Sequence, residues 1–563
     1  MRLDDELSAR IDAWAAQDPD PATRETLAGL VAAARGGDEA ALAELTDAFA
    51  GPLAFGTAGL RAALGPGPNR MNRVVVTQAS AGLAAWLLAE AGIPRGAPVL
   101  VGYDARHNSA RFARDTAEVL AGAGLAPILA DAPVPTPVVA FGVKHLGCAA
   151  GVQVTASHNP ARDNGYKVYN EDGSQIIPPM DAQIAAHIAA VAAGPLGAIP
   201  RSSACATAGQ DLLDAYVARV AALVADATSR DVAWAYTAMH GVGARVVRQV
   251  VQATGFSAPA LVADQIEPDP DFPTVAFPNP EEPGAMDRLL DVARRTGADI
   301  AIATDPDADR CGVAIPVGDL WRPLTGDEVG GLLGDDAMRR DRSAAPGVAE
   351  RGRFACSIVS STLLRTMARA RGREFVHTLT GFKWIGRVPG LAFGYEEAIG
   401  FCCDPRFTAD KDGISAAAAL LRLTAELKAA GRTVADRLDE IDRTYGAHTT
   451  RQVSLRVASL GQIGDMMARL RARPPARLAG QPVAVRDWTT DPAEGLLPTD
   501  ALEFTGESVH VVVRPSGTEP KLKCYLEARA TPEICQADLA GARAANQDTL
   551  EAVWQALHGV LQP

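Results

Sequence analysis

An α/β fold of several domains, with mixed, mostly parallel sheets flanked by helices, is the fold class this sequence predicts. Two observations carry it. From Phe55 onward, short apolar runs alternate with amphipathic helical stretches, the pattern of strand–helix–strand crossovers. After Tyr445 that alternation gives way to longer strand-like runs beside helices, the texture of a smaller α+β domain. A chain of 563 residues has room for roughly three to five domains at about 150 residues each.

Residues 1–50 read as a helical N-terminal extension that packs on the first domain: Leu3, Leu7, Ile11 and Trp14 recur at helical spacing, and helices over 27–34 and 40–49 follow. A first domain over 51–205 would hold helices at 78–91, 111–123 and 138–144 and strands at 99–103, 125–129 and 147–154. A polar break over 201–210 ends it. Residues 206–320 repeat the theme, with helices at 212–225, 244–254 and 285–296 and strands at 232–237 and 299–303. Residues 321–440 repeat it again, with helices at 326–338 and 362–371, strands at 354–358, at Phe375 and at 391–395, and a long helix over 415–430. A fourth domain, 441–563, has strands at 450–457 and 509–513, and helices at 463–473 and from 528 to the end.

The formal charge of −13, from 54 Lys and Arg against 67 Asp and Glu, argues against nucleic acid or an anionic membrane as the main partner. If such a surface binds phosphate, its Arg and Lys must be gathered locally. Apolar residues at 48% and charged residues at 21% indicate an ordered globular chain. The opening Met1-Arg-Leu-Asp-Asp-Glu-Leu7 lacks the cationic and apolar regions of a signal peptide, and no unbroken run of eighteen apolar residues occurs. The 8 cysteines include no C-x-x-C pair and read as reduced thiols without a zinc site. A cytoplasmic protein is the expectation.

Four stretches carry the chemistry. The apolar run 147–154 empties into Thr155-Ala-Ser-His-Asn-Pro160, turn chemistry that leaves the Ser157 hydroxyl on a loop beside the His158 imidazole. A capped turn would look the same, but ligands of open α/β sheets sit beyond the carboxyl ends of strands, where Ser157 falls. The strand at 299–303 leads into Asp305-Pro-Asp-Ala-Asp-Arg310. Extended, Asp305 and Asp309 would stand about 13 Å apart at ~3.3 Å per residue, too far to share an ion. Curled, Asp305, Asp307 and Asp309 suit a small hard cation such as Mg²⁺. A solvated acidic turn is the other account, but three crowded carboxylates beside Arg310 would repel without a cation. A calcium EF-hand is excluded, because Arg310 stands where Gly is needed and Pro316 where Glu is needed.

Arg514-Pro-Ser-Gly-Thr-Glu-Pro-Lys521 offers Arg514, the hydroxyls of Ser516 and Thr518, a backbone freed by Gly517, and Lys521. Such a set wraps phosphate oxygens, or is an ordinary turn. Glu396 and Glu397 end the run Gly390-Leu-Ala-Phe-Gly-Tyr395 and suit vicinal sugar hydroxyls. Adjacent strand residues face opposite ways, which disfavours a glycosidase acid/base pair. Smaller candidates are Arg61, closing Phe55-Gly-Thr-Ala-Gly-Leu-Arg61, Lys167 in Asn164-Gly-Tyr-Lys167, and Lys383 in Thr380-Gly-Phe-Lys383. Met239-His-Gly-Val-Gly243 reads as a strand-to-helix turn. No Walker loop occurs and no G-x-G-x-x-G follows a strand, so nucleotide binding is unsupported.

Together, Thr155-Ala-Ser-His-Asn-Pro160, Asp305-x-Asp-x-Asp-Arg310, Gly394-x-Glu-Glu397 and Arg514-Pro-Ser-Gly-Thr-Glu-Pro520 resemble the α-D-phosphohexomutase superfamily, in that family's order and over all but the N-terminal extension. Gly394-Tyr-Glu-Glu-Ala-Ile-Gly400, Asp410-Lys-Asp-Gly413 and Thr380-Gly-Phe-Lys-Trp384 resemble its longer phosphoglucomutase and phosphopentomutase branch, from which Ala398 and Ile399 depart. The resemblance implies four domains around a central active-site cleft. It also implies an isomerase that moves a phosphoryl group between C1 and C6 of a hexose phosphate, glucose first, with phosphopentomutase and phosphomannomutase as alternatives. Ser157 would carry the phosphoryl group, and its phosphate with Asp305, Asp307 and Asp309 would hold Mg²⁺. Arg61, Lys167, His158 and Arg310 would attend the phosphoserine, with His158 or Lys383 as general acid/base. Glu396 and Glu397 would bind sugar hydroxyls. Arg514, Ser516, Gly517, Thr518 and Lys521 would hold the phosphate not in transfer. The implied partners are small sugar phosphates, with a bisphosphate such as glucose 1,6-bisphosphate as activator and intermediate, and a monomer or homodimer is expected. A catalytically silent sugar-phosphate-binding regulator is the rival from another class, and the retained Ser157 and Asp trio speak against it.

Overall fold

The computed structural model describes residues 3–340, 352–457, 460–493, 495–516 and 521–562. The chain divides into two compact units, Met1–Gly312 with Asp404–Arg422, and Val313–Cys403 with Leu423–Pro563. Among the described residues no helix is long and apolar enough to cross a membrane.

Unit 1 opens with α1 (Asp5–Gln17), α2 (Pro21–Arg35) and α3 (Glu39–Ala48). Each starts after an aspartate, Asp4, Asp20 or Asp38, whose side chain accepts a backbone N–H of the first turn. Leu7, Ile11, Trp14, Leu27 and Leu45 are buried in one core with Val76, Leu83, Val99 and Val152, so the helical extension packs into the first domain.

The first sheet comprises β1 (Leu60–Ala63), β2 (Pro98–Tyr103), β3 (Ala126–Ala130), β4 (Ala150–Val154), β5 (Asp163–Asn170) and β6 (Ala206–Ala208), in the order β1-β5-β4-β2-β3-β6. Strands β2, β3, β4 and β6 run parallel, β5 runs antiparallel to β4, and the edge strand β1 pairs antiparallel with β5, so it runs in the same direction as the other four. Because β6 pairs with β3, the sheet extends past residue 205 into the polar break expected to end the domain. No apolar periodicity announces β5: its residues 164–169 are buried on both faces, polar ones included. Helices α4 (Arg73–Ala89), α5 (Ser109–Gly122), α6 (Thr136–His145) and α7 (Met180–Ala192) complete the domain. Helix α4 begins earlier than its apolar spacing suggests, because the Asn72 side chain accepts from Val75 N and sets the start.

The second domain runs through α8 (Gln210–Leu223), β7 (Trp234–Thr237), α9 (Gly243–Thr254), β8 (Ala260–Leu261), α10 (Asp287–Thr296) and β9 (Ile300–Thr304). Strand β7 pairs in parallel with β8 and β9, and β9 delivers Asp305. The chain then crosses into unit 2 within β10 (Cys311–Val317), which forms a hairpin with β11 (Leu320–Pro323).

Unit 2 continues with α11 (Gly326–Arg340), β12 (Arg353–Ser357), α12 (Leu363–Ala370), β13 (Glu374–Thr378), α13 (Phe382–Ile385), β14 (Leu391–Glu396) and β15 (Gly400–Cys402). The sheet order is β13-β12-β14-β15, with only β15 antiparallel. Residues 404–422, which include the start of α14 (Gly413–Ala429), belong to unit 1. After α15 (Val434–Tyr445) come β16 (His448–Arg456), α16 (Leu460–Ala472), a small β17 (Arg477–Leu478) and β18 (Gln481–Pro482) hairpin, β19 (Ala484–Asp487), β20 (Leu502–Thr505), β21 (Val509–Pro515), β22 (Lys521–Arg529), α17 (Pro532–Ala537) and α18 (Leu539–Leu561). The antiparallel order is β16-β22-β21-β20-β19, and α16 and α18 share its core through Met467, Leu470, Leu550 and Leu557. The helix expected from 528 onward begins later, because Ala528 and Arg529 still pair in β22.

Candidate active site

Strand β4 ends at Val154 and the chain turns at once. Thr155 Oγ1 accepts the Ser157 N–H at 2.9 Å, and Ser157 adopts φ +52°, a left-handed conformation that residues other than glycine rarely take. Such a conformation costs of order 1–3 kcal/mol and persists where its surroundings enforce it. Arg106 does so. Its buried guanidinium donates to the carbonyl oxygens of Ser157 (2.7 Å), Pro160 (2.8 Å), Asp163 (3.1 Å) and Asn159, and stands 3.4 Å from Asp104. Asp104 and Arg106 follow β2 as Ser157 follows β4, so their place at a strand end marks them although no motif does. Arg61 reaches the same turn, its Nη1 donating to Asn159 Oδ1 at 3.2 Å. Gly59 permits this: its φ is +77°, and a Cβ there would lie 1.8 Å from the Tyr166 carbonyl oxygen.

Asp305, Asp307 and Asp309 are fully buried, each with a carboxylate oxygen within 4.8 Å of the others, so the curled reading of the loop is the observed one. Ala308 makes the curl at φ +55°. Glycines press on the loop from outside: a Cβ at Gly413 would meet Arg310 O at 2.3 Å, and one at Gly241 would meet Pro306 Cα at 2.3 Å. Ser157 Oγ donates to Asp305 Oδ2 at 2.8 Å, and the Arg310 N–H donates to Asp305 Oδ1 at 3.1 Å. Lys167, on β5, donates to Asp307 Oδ2 at 2.7 Å and to Asp309 Oδ2 at 2.9 Å. Two residues absent from the expected set join them. Thr136 Oγ1 donates to Asp307 Oδ2 at 2.6 Å, and Lys411 Nζ stands 3.4 Å from Asp309 Oδ2. Lys411 lies within the Asp410–Gly413 motif; Thr136 lies in none.

Burial, then Asp307 and Asp309, push the Asp305 carboxyl well above the usual range. Burial acts the same way on Asp309, but Lys167, Lys411 and Arg310 outweigh it and hold that carboxyl far below. For Lys167 burial opposes the charge, yet Asp307 and Asp309 prevail and the ammonium binds its proton more tightly than usual. His158 Nδ1 lies 3.3 Å from Ser157 Oγ, and burial, helped by Arg310 and Arg61, holds the imidazole well below its ordinary 6.5. It is therefore neutral, and it takes up a proton less readily than a free imidazole does. Asp307 Oδ1 and Asp309 Oδ1 are buried and accept no hydrogen bond among the described residues. All-oxygen donors with unsatisfied carboxylate oxygens fit a hard divalent cation.

In unit 2, Glu396 Oε1 accepts the Gly381 N–H at 2.6 Å, while Glu397 Oε2 accepts from Ser360 Oγ at 2.9 Å and from Ser357 Oγ at 3.3 Å. The two carboxylates thus face different partners, as strand alternation requires. Lys383 stands on the one-turn helix α13. Arg514 lies on β21, and the Ser516 N–H donates to Lys521 O at 2.8 Å, joining β21 to β22. Burial first, and then Glu397, push the Tyr525 hydroxyl above its usual range, while Arg514 draws it back. Gly517 and Thr518 lie outside the described residues. His240 occupies the expected strand-to-helix turn, its Nε2 2.8 Å from Thr274 Oγ1.

Sequence comparison matches residues 52–194, 214–318 and 325–445 to the alpha/beta/alpha domains I, II and III of phosphoglucomutase/phosphomannomutase, and residues 457–538 to the C-terminal domain. A protein of Haemophilus influenzae named "Probable phosphomannomutase" is 45% identical over 82% of this chain and 93% of its own. The human protein named phosphopentomutase is 34% identical over 94% of this chain and 92% of its own. A Staphylococcus aureus protein named phosphoglucomutase is 32% identical over 86% of this chain and 91% of its own. With all four domains matched in order, the chain belongs to the phosphoglucomutase/phosphomannomutase family and is an isomerase of the phosphosugar mutase group.

Proposed function

We propose that the protein interconverts glucose 1-phosphate and glucose 6-phosphate through a phosphorylated Ser157 and a sugar bisphosphate. The observation that carries this is the 2.8 Å hydrogen bond from Ser157 Oγ to a buried trio of aspartates. A sugar-phosphate sensor needs no hydroxyl there. Mg²⁺, held by Asp305, Asp307, Asp309 and a phosphate oxygen on Ser157, would supply positive charge to the phosphoryl oxygens.

In the first transfer the P–O bond to Ser157 Oγ breaks as a bond forms to the sugar's distal hydroxyl oxygen. The proton of that hydroxyl passes by way of His158, the neutral base of unit 1, or Lys383, the other base the family resemblance implies, to the departing Ser157 Oγ, which ends as a hydroxyl. Arg61, Lys167 and Arg310 balance the charge on the phosphoryl oxygens. The second transfer runs in the opposite sense with the sugar's other phosphate: its P–O bond to the sugar breaks, the bond to Ser157 Oγ re-forms, and the proton of the Ser157 hydroxyl passes to the sugar oxygen that is released. Glu396 and Glu397 accept hydrogen bonds from the sugar hydroxyls. Arg514, Ser516, Gly517, Thr518 and Lys521 hold the phosphate at rest.

A pentose 1-phosphate/5-phosphate pair is the second reading, favoured by the human phosphopentomutase, whose match extends over 94% of this chain. The test is kcat/KM with glucose, mannose, ribose and deoxyribose 1-phosphates. Glucose is expected to lead by about tenfold or more, a difference near 1.4 kcal/mol in transition-state binding. A pentose in first place replaces the proposal with the second reading.

A further inference from the structure

Asp307 and Asp309 share a pattern: one oxygen is tied back and the other is left open. Asp307 Oδ2 accepts from Thr136 Oγ1 at 2.6 Å and from Lys167 Nζ at 2.7 Å, while Oδ1 is buried and bonded to none of the described residues. Asp309 Oδ2 faces Lys167 at 2.9 Å and Lys411 at 3.4 Å, and its Oδ1 accepts no hydrogen bond among the described residues, with Arg310 Nε 3.9 Å away. An aspartate's terminal torsion is broad and two-fold, so its two oxygens exchange unless something holds them. An ammonium holds them poorly, being a point charge with rotatable donors on a flexible stem.

Thr136 is built differently. It is fully buried, it is the first residue of α6, and its own backbone N–H donates to Asp307 O at 2.9 Å. One residue thus grips Asp307 at main chain and side chain together. The carboxylate cannot turn without breaking the hydroxyl's bond. We propose that Thr136 is a positioning residue of the cation site, its hydroxyl tying back Asp307 Oδ2 so that Oδ1 is presented to the ion. This role rests on the reading of the aspartate trio as a cation site.

Mn²⁺ binding to the purified full-length protein, followed by the electron paramagnetic resonance signal of the free ion, separates the two claims, with Asp307→Asn setting the background. Thr136→Val keeps the shape and removes the hydroxyl; Thr136→Ser keeps the hydroxyl. Loss of such an outer hydrogen bond weakens metal binding about tenfold or more. That loss is expected for Thr136→Val, with Thr136→Ser within about twofold of wild type because its donor remains. Equal affinity in wild type and Thr136→Val overturns the proposal. So does a Thr136→Ser as weak as Thr136→Val, since packing rather than the hydroxyl would then be responsible. A wild-type protein no better than the Asp307→Asn background removes the cation site itself and this role with it. Should Thr136→Val fail to fold, Thr136→Ala takes its place with the same expected and overturning results.

Discussion

Ser157 is held in a left-handed backbone by Arg106 and Thr155, and its hydroxyl meets Asp305. The backbone contacts involve no atom of the Ser157 side chain beyond Cβ. Ser157→Ala is therefore expected to keep its melting temperature while turnover falls by roughly a thousandfold or more, as when an enzyme loses its nucleophile. Intact mass should show one phosphate on part of the wild-type protein and none on the variant. Normal turnover in the variant would end the phosphoserine reading. At this scale the sequence was most legible where several residues act as a group. Three aspartates alternating after a strand, or a serine in turn chemistry, stand out from their neighbours. Arg106 and Thr136 do not, because the site groups they hold, Ser157 and Asp307, lie 51 and 171 residues away in the chain and nothing local records that contact.

The elements themselves were legible through period and turn chemistry, which is why β2, β4, β9 and β14 lie where the apolar runs placed them. Where capping or burial on both faces decides, as at α4 and β5, periodicity has nothing to read. Helix α11 carries a further consequence of packing. Its first residue, Gly326, lies so close to the end of β14 that a Cβ would meet Glu397 O at 1.9 Å. Asp327 is buried there, accepting from Ser361 N at 2.7 Å and from Tyr395 Oη at 2.9 Å. A helix N-terminus favours negative charge, yet burial prevails and pushes this carboxyl up to about 7. Between roughly pH 4 and the folded value, the folded protein keeps a proton that the unfolded chain has released. Stability therefore falls as pH rises through that window, by up to about 1.4 kcal/mol per unit, and levels off above it. Asp327→Asn keeps the acceptor and has no proton to lose. Its stability relative to wild type should grow between pH 5 and pH 7 by about 2–3 kcal/mol, measured by urea unfolding at each pH. Parallel pH profiles for the two proteins would contradict this.

For the whole molecule, the order of the domains was readable, but the return of residues 404–422 to unit 1 was not. That segment is held by Tyr216 Oη donating to Asp412 at 2.8 Å, by Tyr169 Oη donating to Asp410 at 3.0 Å, and by the Arg219–Asp404 pair. Each joins residues some two hundred positions apart, which no local pattern records. The segment also brings Lys411 to Asp309 and lays Gly413 on the Arg310 carbonyl, so the aspartate loop and this distant stretch share one local structure. An ion that binds only the folded site stabilises it by RT ln(1 + [L]/Kd), about 2.7 kcal/mol at a hundredfold excess over Kd. Any opening that breaks the site must overcome that increment, whichever part of the sequence supplies the residues. Mg²⁺ should therefore slow hydrogen exchange in peptides covering 300–312 and 404–422 together, by up to about a hundredfold, while peptides from α16 and α18 in unit 2 exchange as before. The Asp309→Asn protein should show neither change. Protection confined to 300–312, with 404–422 unaffected by the ion, would mean that the returning segment is not part of the cation site's cooperative unit.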